Sequence, residues 1–472
     1  MRWLRRAGLG LLVLVALAAL AAMTPPGRAL ITEKRALRDG ATGYLYGYPL
    51  VTMLETQRAL TTPPAALNAF AHTRKLPEDA GVNVVRPSRD LLYSSAWLDL
   101  SDGPVVVSQP DLGDRFFLLP MLDAWTNVFA SPGTRTTGNR AANFLVVGPA
   151  WDAPAPPGLQ VVRSPTDLAW VVGRIEVAGP DDVPAVGRLQ DQFAITPLSR
   201  WPDGPPNPAA VVTEPSSGPN VRARVDGMDA AEFFTALAAG LARVQTLPQD
   251  GGALAALARV GIAPGEPFDF DSLSAPVRAG LADAVRRVQA GMTEAYASGE
   301  GATVGNGWRI PPDILGDYGD EFAVRAVVAR EGLGANLPAD ATYATAVADE
   351  TGTPLDGRGH YVVRFRPEDL PPPVRAFWSL TVYDDRGSLV PVGSGRQSVS
   401  SHDGLPLGPD GSLEVHVGAP GATGVPFLGT PAGEFDLVLR LYWPEQTVLD
   451  GAWRFPSVQR RPGAAPTAPP SP

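Results

Sequence analysis

Between residues 100 and 178 the chain alternates short apolar runs with turn-forming residues: PVVVSQP, RFFLLPMLDAW, NFLVVGP, LQVVRSP and LAWVVGRIEVAG. Runs of this length bounded by Gly, Pro, Asp and Ser predict the strands of a sandwich. In RFFLLPMLDAW, Phe117, Leu119, Met121 and Asp123 share one face, and Phe116, Leu118, Leu122 and Ala124 the other. Both faces are apolar, so this strand is expected at the centre of its sheet. The last third repeats the pattern in HYVVRF, FWSLTVYD, SLVPV, SLEVHV and FDLVLRLYW. There Phe435, Leu437, Leu439, Leu441 and Trp443 lie opposite Asp436, Arg440 and Tyr442, while Trp378, Leu380 and Val382 lie opposite Ser379, Thr381 and Tyr383. One dry and one wet face per strand predicts a sandwich or jelly roll.

A different period occupies the segments in between. Phe233, Leu237, Leu241 and Val244 recur at three- and four-residue steps, as do Val277, Leu281, Val285, Val288 and Met292. Both series predict amphipathic helices whose role is packing. From Thr32 to Thr61 the spacing of Tyr44, Tyr48, Val51 and Leu54 predicts another helix, capped at Thr32 and interrupted near Gly47-Tyr48-Pro49, where proline removes a backbone donor. Residues 196–220 are Pro-rich and read as an extended connection, and RRPGAAPTAPPSP reads as a disordered tail.

Composition narrows the function classes. The 472 residues are 44% hydrophobic and 19% charged, a globular balance, with 50 Gly and 50 Pro supplying many turns. A net charge of −10 gives no footprint for nucleic acid. With no cysteine, disulfides, thiolate metal sites and a cysteine nucleophile are excluded. Arg2, Arg5 and Arg6 precede an uncharged run from Ala7 to Met23 and small residues at Gly27 and Ala29. This is the layout of a signal peptide, and the run is also of a length to serve as an uncleaved anchor. An exported protein is expected, touching a membrane only through that segment.

Several longer motifs carry a family resemblance: YGYPLVTMLETQRALT, NAFAHTRKLP, VNVVRPSRDLLYSSAWLDLS, DAWTNVFASPGTRTTG, RLQDQFAITPLS, REGLGANLPADATY, AFWSLTVYD and LRLYWPE. The chain resembles a bacterial cell-envelope family that pairs two domains of unknown function, twelve-fifty-four and twelve-fourteen. The resemblance spans residues 40–455 and implies an α+β multidomain protein. Its parts would be an N-terminal immunoglobulin-like sandwich, a helical region built from discontinuous segments and a C-terminal jelly roll, placed in the periplasm or envelope. The expected organisation is a signal or anchor at 1–29, a helical segment and motif loop at 30–99, the sandwich at 100–195, the Pro-rich connection and helical region at 196–330, the jelly roll at 331–458 and the tail at 459–472. Ser88 and Leu91 stand where members often carry Asn and Thr, and Val425 to Gly433 also departs from the pattern, which puts family-like ligand contacts there in doubt.

The candidate chemistry gathers around DAWTNVFASPGTRTTG. Arg86, Tyr93, Trp125, Asn127, Arg135 and Thr137 combine an aromatic platform with polar and guanidinium groups, equipment for a glycan or an anion. His72 with Asp90 is a candidate general base and orienter, and Asp90 with Asp99 or Asp123 a candidate carboxylate pair. Against these stands the plainer reading of an Arg–Asp network that ties the sandwich to the helices. His360, Glu414 and His416 on strand faces are either a metal site or ordinary solvent-facing residues, and no tight ligand spacing supports the former. Nucleophile-elbow, phosphate-loop and dinucleotide motifs are absent, and no cofactor is implied. The sequence therefore predicts a cleft between sandwich and helical region that binds, and in one version processes, a glycan-like or anionic molecule. A non-catalytic scaffold and a carboxylate–histidine hydrolase are the alternatives.

Overall fold

The computed structural model describes residues 24–77, 86–212, 220–389, 396–418 and 426–461. Over these the protein is a mixed α+β assembly of eight helices and four sheets. The signal or anchor segment before residue 24 and the tail after residue 461 lie outside the described residues. Among the described helices none is long and apolar enough to cross a membrane.

Leu91–Asp99 and Leu168–Glu176 pair antiparallel along their whole length, with Tyr93 opposite Arg174 and Trp97 opposite Trp170. They are central in a seven-stranded sheet ordered Ala210–Val212, Ala71–Thr73, Leu91–Asp99, Leu168–Glu176, Met121–Asp123 and Val128–Ala130, with Phe117–Leu118 also on Leu168–Glu176. A four-stranded sheet ordered Ala194–Pro197, Val105–Gln109, Ala142–Val147 and Gln160–Arg163 shares with it a core that includes Leu92, Ala96, Val107, Val146 and Val171. The run RFFLLPMLDAW is buried on both faces as expected, but it forms two short strands and not one. Pro120 separates them because it has no N–H to give, while its carbonyl accepts from Val172 at 3.0 Å. The Pro-rich 196–220 segment contributes strand residues at both of its described ends, so it is less of a plain connection than its composition suggests.

The first helix runs unbroken from Pro25 to Leu60, with Pro49 inside it. Its cap is Thr24, whose Oγ1 accepts from Gly27 N at 3.2 Å, and not Thr32. Proline still deletes one hydrogen bond, but burial of Gly47 through Met53 holds the helix together. Gly40, Gly43 and Gly47 lie on one face of it. A Cβ there would meet Leu281, Leu257 and Leu237 at 2.6, 2.5 and 2.5 Å, so three later helices approach the backbone directly. Those partners, Ala230–Leu241, Gly251–Arg259 and Ala275–Ser298, follow the sandwich in sequence. The helical core is therefore assembled from segments on both sides of it.

The C-terminal half pairs a six-stranded sheet, ordered Thr303–Gly305, Trp308–Ile310, Ala341–Ala346, Phe435–Tyr442, Trp378–Asp384 and Ser398–Ser400, with a four-stranded one, ordered Phe427–Leu428, Leu413–Val417, His360–Phe365 and Ser457–Arg461. Leu437, Leu439, Leu441, Leu380 and Val415 fill the space between them. The wet faces predicted for Phe435–Tyr442 and Trp378–Asp384 are not wet: every residue of the first strand is buried, and all but the last of the second. Their polar side chains meet the N-terminal half instead.

Candidate functional site

Two outer sheet faces look toward each other across the middle of the molecule. From the seven-stranded sheet come Tyr93, Ser95, Trp97, Trp170, Val172 and Arg174, alternate residues of two paired strands. From the six-stranded sheet come Tyr343, Thr345, Asp436, Val438, Arg440 and Tyr442. Helices close the sides with Leu45 and Thr56, Val288, Met292 and Tyr296, and Val324 and Val327. The space they enclose is a cavity of about 2280 Å³, whereas drug-sized ligand sites run to roughly 300–1,000 Å³.

Its wall is mostly apolar, and the floor is graded. Trp97 and Trp170 stack with ring centroids 5.0 Å apart and planes 4° from parallel. Four residues back along the same strand, the Arg174 guanidinium stands 5.9 Å from the Tyr93 ring. Most wall arginines are paired: Arg86 with Asp436, Arg222 and Arg330 with Glu331, Arg58 with Glu55. Arg174, Arg309 and Arg440 make no ion pair with any described residue. Arg174 donates to the carbonyls of Val172 and Gly334, at 3.3 and 2.7 Å. Arg440 donates to Thr381 Oγ1, Tyr383 Oη and the Arg86 carbonyl, at 3.2, 2.7 and 2.8 Å.

Of the sequence-predicted residues, only Arg86 and Tyr93 line this cavity. Strand alternation turns His72 the other way. Ala71 and Thr73 face the cavity, while His72 lies against the sandwich core, its Nδ1 2.9 Å from Ser94 Oγ and its ring stacked on Phe70. Asp90 is buried beside Ser88, whose Oγ accepts from the Asp90 amide at 3.2 Å. Asp123 ties its own turn, accepting from the amides of Trp125 and Asn127 at 2.9 Å each and from Asn127 Nδ2 at 3.0 Å. Trp125 is fully buried in the helical core, 4.5 Å from the Tyr46 ring, with Nε1 donating to the Gln245 carbonyl at 2.8 Å. Arg135 donates to Asp340 at 2.6 Å, and Thr137 Oγ1 accepts from Gly133 N at 3.0 Å. The expected convergence of His72, Asp90, Asp123, Trp125, Asn127, Arg135 and Thr137 on one hollow does not occur. The short side chains of that loop reach neighbouring backbone before they reach a void. Asp99 likewise bonds Ser101.

The two families of sequence signal that point to the real cavity are subtler. LAWVVGRIEVAG carries Arg174 within a mostly apolar strand that ends at Glu176, and FDLVLRLYW carries Arg440 on its minority polar face. Ser88 and Leu91, where the chain departs from the family pattern, are on the cavity wall. In the far sheet His360 Nε2 and His416 Nδ1 are 3.1 Å apart, and among the described residues no group of three or more His, Cys, Asp or Glu is arranged to hold a metal.

Residues 67–197 match the family described as protein of unknown function (DUF1254), and residues 340–446 match that described as protein of unknown function (DUF1214). The chain belongs to the family that joins these two domains in this order. The match takes in the seven-stranded sheet apart from its edge strand Ala210–Val212, the four-stranded partner, and the central strands of the six-stranded sheet, so both sheet faces of the cavity are parts of the family's two domains. The crystal structure of the VPA0106 protein from Vibrio parahaemolyticus superposes with a TM-score of 0.66 at 21% identity, over 90% of this chain and 100% of that one, and shows the same fold. A putative uncharacterized protein from Burkholderia cenocepacia matches at 13% identity with a TM-score of 0.44, over 94% of this chain and 97% of its own. No curated protein matches the sequence.

Burial, with a smaller push from the Arg74 charge, brings the His72 imidazole down to about 4. A base that resists protonation in the fold contributes stability above its unfolded value near 6.5 and loses it as the pH falls toward 4. The loss across that window is roughly 3 kcal/mol. Denaturant titrations of wild type and His72→Asn between pH 7 and pH 4 are expected to differ by this amount in slope-integrated stability, the variant being the flatter.

Proposed function

We propose that this protein binds a large amphipathic molecule with an acidic group, held in the central cavity. The observation that carries the reading is the set Arg174, Arg309 and Arg440, cations on a mostly apolar wall with no carboxylate partner among the described residues. Buried charges are ordinarily paired, and an unpaired one is costly, so an anion arriving from outside completes the arrangement. The apolar wall favours the anionic over the glycan-like version of the expected ligand, since a sugar needs more hydroxyl partners than the wall offers. The architectural part of the reading is an immunoglobulin-like sandwich and a jelly roll that lend one outer face each to the site. The arginines ahead of the Ala7–Met23 apolar run support an exported, envelope-located binder.

Val172 sits in the middle of the floor, between the Tyr93–Arg174 rung and the two tryptophans. Val172→Trp grows into the void and is expected to abolish binding of hexadecanoate, read by native mass spectrometry and by thermal shift, with the unliganded melting temperature nearly unchanged. Undiminished binding in that variant would remove the cavity from consideration.

A further inference from the structure

Arg174 and Arg440 differ from the other cavity cations in how deeply they are held. They are 8% and 4% exposed, whereas Arg309 is only half-buried and Arg86 has Asp436. They also come from opposite sheets, Arg174 from the N-terminal half and Arg440 from the C-terminal half. Tyr343 joins them: the Arg440 guanidinium is 5.8 Å from its ring, and both arginines act on its hydroxyl electrostatically. Tyr93, whose ring Arg174 faces, has a hydroxyl that bonds no other described residue. Asp90 lies within electrostatic reach of Arg440 without forming an ion pair with it. Two buried guanidiniums thus line one cavity, one beside Tyr93 and one beside Tyr343, and no carboxylate is bonded to either, so an anion entering there would offset both charges.

Resting on the cavity reading above, we infer that the acidic end of the ligand docks between Arg174 and Arg440, accepting from both guanidiniums and from the Tyr93 hydroxyl. Its apolar body lies along the outer face of the large sheet toward Trp97 and Trp170. Four strand residues separate Arg174 from Trp170, a run of about 13 Å, so the two ends of the floor match a polar head and a long apolar body in turn. The forked, planar guanidinium suits a carboxylate or a phosphate ester alike. The ligand class is an anionic amphiphile with one acidic terminus. Because its head is gripped by one cation from each half, binding clamps the two halves together.

Three probes of equal chain length separate the outcomes: hexadecanoate, hexadecyl phosphate and neutral hexadecanol, each titrated against the full chain by calorimetry or native mass spectrometry. Wild type is expected to prefer at least one acid over the alcohol, and whichever acid binds more tightly names the head group. Arg174→Gln and Arg440→Gln are each expected to weaken the acid by about ten- to a hundred-fold and leave the alcohol unaffected. Arg440 also bonds Thr381 and Tyr383, so Arg174→Gln, which loses only two carbonyl contacts, serves if the other variant does not fold. In the double variant the losses are expected to be less than additive, because one head group meets both cations. Equal affinity for acid and alcohol, or an unchanged acid-to-alcohol ratio in Arg174→Gln, would overturn the docking of the head while leaving cavity binding intact. Failure of all three probes to bind would overturn both.

Discussion

Trp125→Ala is expected to destabilise the protein by about 3–5 kcal/mol, the range for truncating a fully buried Trp. The side chain is enclosed by the helical core, packs on Tyr46 and gives its Nε1 hydrogen to Gln245. Truncation opens a cavity and strands the Gln245 carbonyl at the same time. Chemical denaturation reads the loss as a lower midpoint with an unchanged slope. Affinity of the surviving folded fraction for hexadecanoate is expected to stay close to that of wild type, because Trp125 is not on the cavity wall. A tight-binding wild type and a stable, non-binding Trp125→Ala would restore Trp125 to a direct part in the site.

Asp340→Ala is expected to cost about 3–5 kcal/mol, as removal of one member of a buried ion pair does. Asp340 is 2% exposed, takes Arg135 Nε at 2.6 Å on one oxygen and Ser131 Oγ at 2.7 Å on the other. Both side-chain partners belong to the N-terminal half, while Asp340 itself immediately precedes the strand Ala341–Ala346 of the six-stranded sheet. The substitution leaves a guanidinium without its counter-charge and unlocks a seam between the halves. Asp340→Asn keeps one acceptor oxygen, enough for Arg135, while its amide group donates to the Ser131 hydroxyl, and it is expected to recover about half of the loss, which the same denaturation series measures. Equal stability of the alanine variant and wild type would show that the seam is held elsewhere.

How much the sequence reveals depends on which kind of periodicity a residue obeys. Leu437, Leu439 and Leu441 announce their sheet face by alternation alone, and Leu237, Leu281 and Val285 announce theirs by helical spacing. Both readings hold in the structure. Pro49 misleads because local preference is overridden by the burial of Gly47 through Met53, and Pro120 because two short strands on one partner look in sequence like one. Tyr442 and Arg440 mislead in a more instructive way. Alternation tells which residues share a face, but not whether that face meets water or another domain. The same gap explains the site. Trp125, Arg135 and Thr137 are dense in sequence but serve separate structural ends: Thr137 bonds within its own turn, while Trp125 and Arg135 reach Gln245 and Asp340 far along the chain. Arg174 and Arg440 stand 266 residues apart in strands that are mostly apolar, and nothing short of the tertiary pairing of two sheets brings both to one cavity. His72 was separated from the cavity by a single step of strand register, which sequence leaves unspecified.

The helix at Pro25–Leu60 leans its glycine face on Leu237, Leu257 and Leu281, and the whole sandwich intervenes before those leucines in the chain. During synthesis the helix therefore emerges long before its partners. Its tyrosines and leucines must wait exposed while some two hundred further residues are made, and an isolated helix of this kind has little else to shelter it. The helical core accordingly closes only after the sandwich segment has been made, so its folding is a long-range event and not a local one.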